Sequence, residues 1–140
     1  MKLLILTSEP VSAEQLRAAL SRDADLERSE VMIVAPALQE SPIKFWMSDA
    51  DDAIGRAEWV GRESRQRLTS QGVSATAETG EPDPHNAVQD ALQTFPADRI
   101  VVFVHPEGEQ RYRENVDPHQ LEIDFGLPVD RVQLSPETSP

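Results

Sequence analysis

Residues 2–6 (KLLIL), 31–35 (VMIVA) and 99–104 (RIVVFV) are short, nearly uninterrupted runs of Val, Ile and Leu bounded by Pro, Gly or acidic residues. A strand with one wet face alternates apolar and polar residues, whereas a parallel strand covered on both faces does not. These three runs therefore predict buried parallel strands. Residues 74–78 (SATAE) and 131–134 (RVQL) are weaker and alternate, which suits the two edges of the same sheet. Amphipathic stretches separate the five segments, and this alternation is the signature of an α/β fold.

The connecting stretches carry their own start and stop signals. Ser12-Ala13-Glu14-Gln15 reads as a capping box opening a first helix over residues 12–21, with Leu16, Ala19 and Leu20 as its apolar stripe. A second helix is expected from a Ser48 cap to a Gly72 stop, with Ala50, Ala53, Ile54, Ala57, Val60, Ser64 and Leu68 at helical spacing and Asp49, Asp51 and Asp52 at its positive end. Asp83-Pro84 and Asp117-Pro118 each place a capping carboxylate before a proline at the first helical position, and Gly126 ends the second of these helices. Right-handed crossovers then leave few topologies, and with the weak strands at the rims the order 3-2-1-4-5 is expected, with Ile5, Ile33, Val101 and Val102 in the core. In that doubly wound order the chain direction reverses between strands 1 and 4, and ligands bind at the carboxyl ends of the strands there. Thr7, Ser8, Ala35, Pro36, His105 and Gly108 fall at that crevice.

Composition narrows the function. The chain has 140 residues, 39% hydrophobic and 27% charged, with no cysteine and a formal net charge of −12. This describes one domain, expected over residues 1–134, followed by a disordered tail at 135–140 (SPETSP). The negative charge disfavours nucleic acid and anionic membrane surfaces as partners. The absence of Cys excludes thiol nucleophiles and Cys-ligated zinc, and no apolar run approaches a membrane span. The opening MKLLILT lacks the features of a signal peptide, so a cytoplasmic location is expected.

Three pieces, in order, resemble the universal stress protein family over nearly the whole chain to Leu134: Gly80-Glu81-Pro82 leading to Ala87-Val88, then Ala97-Asp98-Arg99-Ile100-Val101-Val102, then Leu127-Pro128-Val129. The stretch His105-Pro106-Glu107-Gly108 looks like a divergent bacterial branch. The resemblance implies a five-stranded, adenine nucleotide alpha hydrolase-like fold, a stress-response role and a homodimer. ATP-binding members carry G-x-x-G-x9-G-[S/T] after strand 4, where glycine amides approach the phosphates. In register, this chain has His105, Gly108 and Pro118-His119, so only Gly108 matches, and Glu107 and Glu109 add repulsion. The acidic residue that such members often have at the end of strand 1 is replaced by Thr7. The expectation is a noncatalytic domain that does not bind ATP, acting through association or a small ligand. The alternatives are a nucleotide binder with a rebuilt phosphate loop, for which ATP or AMP would be the cofactor, and a small enzyme using His105.

Other constellations read as structural. His85, His105 and His119 lack metal-ligand spacing, so no metal is expected, and the Asp49-Ala50-Asp51-Asp52 cluster reads as a helix start because an EF-hand's Gly and distal Glu are missing. A phosphoacceptor receiver would need an acidic pair after strand 1, an acceptor Asp after strand 3 and a late Lys, and no Lys follows Lys44. No G-x-G-x-x-G follows strand 1, and Ser8 and Ser12 lack a nucleophile elbow. Phe45-Trp46-Met47 reads as a staple on the helix entry, and Arg111-Tyr112-Arg113 as a solvated helix face. Strand 131–134 has no Lys or internal Pro to block another chain, so dimerisation is expected there.

Overall fold

The computed structural model describes residues 1–20, 25–38, 51–81, 83–105 and 117–134. Five strands, β1 (Lys2–Thr7), β2 (Glu30–Pro36), β3 (Ser74–Gly80), β4 (Arg99–Val104) and β5 (Val129–Gln133), form one sheet in the order β3-β2-β1-β4-β5. Every pairing is parallel, with Ile5 opposite both Ile33 and Val101. The helices among the described residues are α1 (Ala13–Ala19), α2 (Asp51–Ser70), α3 (Pro84–Thr94) and α4 (Pro118–Phe125). The short segment Leu26–Arg28 adds a 3-10 turn before β2.

Alternate side chains of each central strand feed two separate apolar layers. Leu3, Ile5, Val31, Ile33, Val101 and Phe103 pack with Leu16 of α1 and Leu68 of α2. Leu4, Leu6, Met32, Val34, Ile100, Val102 and Val104 pack with Ala87, Val88 and Ala91 of α3 and Leu121 of α4. The first two crossovers thus cover one face and the last two the other, and the layers change sides between β1 and β4. Ile5, Ile33, Val101 and Val102 are buried as the runs require. Both weak strands are at the edges, but β3 runs on to Gly80 and β5 begins at Val129, two residues earlier than the 131–134 reading. Ile54 departs from the expected stripe: it is 40% exposed, because the helix turns its Ala53, Ala57 and Val60 side inward.

The caps form as the sequence dictates. The Ser12 hydroxyl accepts from the Gln15 amide while the Gln15 side chain accepts from the Ser12 amide. Asp83 and Asp117 accept from the amides of His85 and His119, each with Pro at the first helical position. Gly126 ends α4 in the left-handed region, φ 67°, where a side chain would be strained. The Ser48 cap and the 135–140 tail lie outside the described residues.

Gly80 explains the Gly-x-Pro turn. A Cβ there would stand 2.7 Å from Ala87 Cβ and 3.1 Å from Val34 Cγ1. Only the missing side chain lets the end of β3 pass so close to α3 and β2. Gly80→Ala is expected to destabilise by about 1–3 kcal/mol, the usual cost of overpacking a closed core, read as a lower urea midpoint at unchanged slope.

The helices α3 and α4 are joined by His85, whose Nε2 lies 2.8 Å from Asp124 Oδ2 and whose ring lies 5.1 Å from that of Phe125. The hydrogen bond from His85, then one from Gln120, holds the Asp124 carboxyl below its ordinary value of 3.8. A carboxyl lowered on folding stabilises above its unfolded value and loses that contribution as pH falls through its folded value. Wild type is expected to be more stable than Asp124→Asn near neutral pH, with the gap in thermal midpoint closing as the solution is acidified below 3.8.

Candidate functional site

β1 and β4 end side by side, and the chain leaves them in opposite directions, so their carboxyl ends open a crevice. The turn after β1 is tied by Thr7, whose buried hydroxyl donates to the Glu9 carbonyl at 2.7 Å and accepts from the Glu9 amide at 3.2 Å. This local loop aims Glu9 across the crevice. His105, the first residue past β4, meets it there: His105 Nε2 is 2.9 Å from Glu9 Oε1, and His105 Nδ1 is 3.3 Å from Ser8 Oγ.

A carboxylate only accepts, so Nε2 carries the proton toward Glu9. In neutral imidazole Nδ1 is then the acceptor, and the Ser8 hydroxyl donates to it. The same Glu9 oxygen also receives Arg56 of α2, which further donates to the Ser8 carbonyl at 3.4 Å. The guanidinium lies 5.8 Å from the Trp59 ring, close enough for a cation–π contact. Glu9, Arg56 and His105 therefore form one charge-assisted network at the mouth of the crevice.

Beside it is a small, solvent-open hollow lined by Ser8, Ala35, Pro36, Leu38, Ala53, Arg56, Ala57 and Val60. Its origin is the run of small side chains: Ala35 and Ala37 face Ala53, Ala57 and Val60, which leave space between β2 and α2 that larger residues would fill. The helix is anchored at this end of the molecule by Ser64, fully buried, whose hydroxyl accepts from the Val11 amide at 3.1 Å.

Of the residues expected at the crevice, Ser8, Ala35 and Pro36 line the hollow and His105 joins Ser8 in the network. Thr7 shapes the turn beneath them. Gly108 lies outside the described residues, as do Phe45, Trp46, Met47, Arg111, Tyr112 and Arg113. Glu9 and Arg56 were missed by the sequence reading. Arg56 had a legible signal, because it is a charge three residues beyond Ala53 on the inward side of α2. Among the described residues no group of three or more His, Asp or Glu side chains is placed to hold a metal ion, and no helix is long and apolar enough to cross a membrane.

No protein-family model and no curated protein matches the sequence. Solved structures do match in shape. The crystal structure of a universal stress protein family protein from Arabidopsis thaliana with AMP bound aligns with a TM-score of 0.59 at 13% identity, covering 99% of this chain and 95% of the other. The fold is that of the universal stress proteins. A hypothetical protein of known crystal structure aligns over 99% of this chain and 98% of its own with a TM-score of 0.48, also at 13% identity. The family resemblance read from Gly80, Ala87-Val88 and the strand at 99–104 thus holds at the level of the fold. Pro118 and His119, which the sequence register sets against the Gly-[S/T] of ATP-binding members, open α4. Pro118 has no amide hydrogen, and that of His119 is already donated to Asp117.

Proposed function

We propose that this chain is a universal-stress-protein-like, noncatalytic stress-response domain whose crevice takes a small uncharged ligand and does not take ATP. The observation that carries the reading is the Glu9 carboxylate in the mouth of the crevice, holding Arg56 and His105. Arg56 and His105, the crevice donors among the described residues, are engaged, and an incoming polyphosphate meets a carboxylate. Support comes from α4, where Asp117 occupies the helix N-terminus that would otherwise attract an anion. The hollow between β2 and α2 is walled mainly by Ala, Pro, Leu and Val, which favours an uncharged group over a phosphate there. Adenosine is the first probe, because the Arabidopsis structure of the same fold holds AMP.

Calorimetric titration and thermal shift with adenosine, AMP and MgATP test the reading. Adenosine is expected to stabilise the protein, by about 2.7 kcal/mol at one hundred times its dissociation constant, with MgATP far weaker. Micromolar MgATP affinity would refute the exclusion of ATP.

The domain also works by self-association in this proposal. β5 ends the sheet, and its Arg131 and Gln133 side chains are exposed between the half-buried Asp130 and Val132. A two-fold pairing of this strand with a second copy would complete both edges. Sedimentation at micromolar concentration is expected to give a dimer, and a single 15.6 kDa species at all salt concentrations rejects it.

A further inference from the structure

We infer that Glu9 sets the charge selectivity of the crevice: its carboxylate is a built-in anion in a subsite made by Arg56 and His105, and once it is removed the same subsite takes a small external anion, a phosphate monoester or a carboxylate. This rests on the crevice being the ligand site and extends it to a residue that no sequence motif marks.

Three observations carry it. First, Arg56 and His105 converge on one atom, Glu9 Oε1, from different elements, α2 and the end of β4. Two donors from separate elements meeting at a single oxygen define a position for an anion, and the side chain filling it is the smallest change by which the fold can both build the position and close it. Second, the position can be reached: the Arg56 and Glu9 side chains are 33% and 32% exposed, and Arg56 also lines the hollow. Third, the receptors are held independently of Glu9. Arg56 lies against Trp59 and donates to the Ser8 carbonyl, and His105 is fixed through Nδ1 by Ser8. Without the carboxylate, both remain aimed at the vacated position, and a partly exposed guanidinium without its partner favours any anion that restores the charge-assisted hydrogen bonds.

Glu9 is on this account a specificity residue. It rejects charged ligands by occupying their place, so the uncharged part of a ligand is recognised in the adjoining hollow while its anionic part is turned away.

The test compares wild type, Glu9→Gln, Glu9→Ala, the double variant Glu9→Gln/Arg56→Gln, and Glu58→Gln. The last removes one exposed negative charge from α2 outside the network and so controls for net charge. The probes are inorganic phosphate and acetate, followed by calorimetry and by the Nε–H signal of Arg56 in nitrogen-15 spectra. Glu9→Gln and Glu9→Ala are each expected to bind phosphate at least about tenfold more tightly than wild type, equivalent to about 1.4 kcal/mol, with the Arg56 signal moving on titration. Glu58→Gln is expected to match wild type, and the double variant to lose the gain. No gain in either Glu9 variant, a gain that survives Arg56→Gln, or an equal gain in Glu58→Gln overturns the inference. Adenosine binding is measured on wild type in parallel: its absence alone refutes the proposed uncharged ligand and leaves the Glu9 assignment intact, while adenosine binding with no phosphate gain in the Glu9 variants does the reverse.

Discussion

β1 is buried on both faces, and the remaining architecture follows from that constraint. Leu3 and Ile5 point into one apolar layer and Leu4 and Leu6 into the other, and all four are essentially inaccessible to water. A strand in that situation needs a neighbour on each edge and a helix layer on each face. Right-handed crossovers satisfy both needs only if the chain winds first toward β2 and β3 and then returns to lay β4 and β5 on the other side. The reversal sets the ends of β1 and β4 side by side where the chain departs in opposite directions. The crevice is thus a by-product of covering the central strand, and the residues that happen to follow β1 and β4 become its walls.

Within those walls the chemistry is set by short-range geometry. The Thr7 hydroxyl folds the turn back on itself, which carries Glu9 toward Arg56 and His105 instead of toward solvent. The small residues of β2 and α2 open the neighbouring hollow. A polar cluster and an apolar space share one wall, Ser8 and Arg56, so shape and charge are presented together at this point of the crevice.

The sheet was legible because continuous Val/Ile/Leu runs admit few alternatives, and the caps because Ser12, Asp83 and Asp117 act on amides two or three residues away. The location of Ser8, Ala35, Pro36 and His105 at the crevice was legible from topology alone, since strand order fixes which strand ends meet. Glu9 was hidden because the hydroxyl bonds of Thr7 shape the turn that carries it, and the pairing of Arg56, though not its inward side of the helix, because its partner lies 47 residues away. The limits of β5 were misjudged because Val129 follows Leu127-Pro128, which reads as a loop, although Pro128 supplies its carbonyl to the Ile100 amide. Ile54 was misassigned because a stripe defined by spacing admits its neighbours on the helical wheel.

The central position of β1 also governs the order in which the protein can be completed on the ribosome. Its second partner, β4, begins at Arg99, so until that segment is made the apolar strand Lys2–Thr7 has β2 on one side and an open edge on the other. An unpaired edge of this composition is an aggregation template. The nascent chain therefore carries an open edge on its central strand until residues 99–104 have emerged, and its net negative charge favours its remaining dispersed meanwhile.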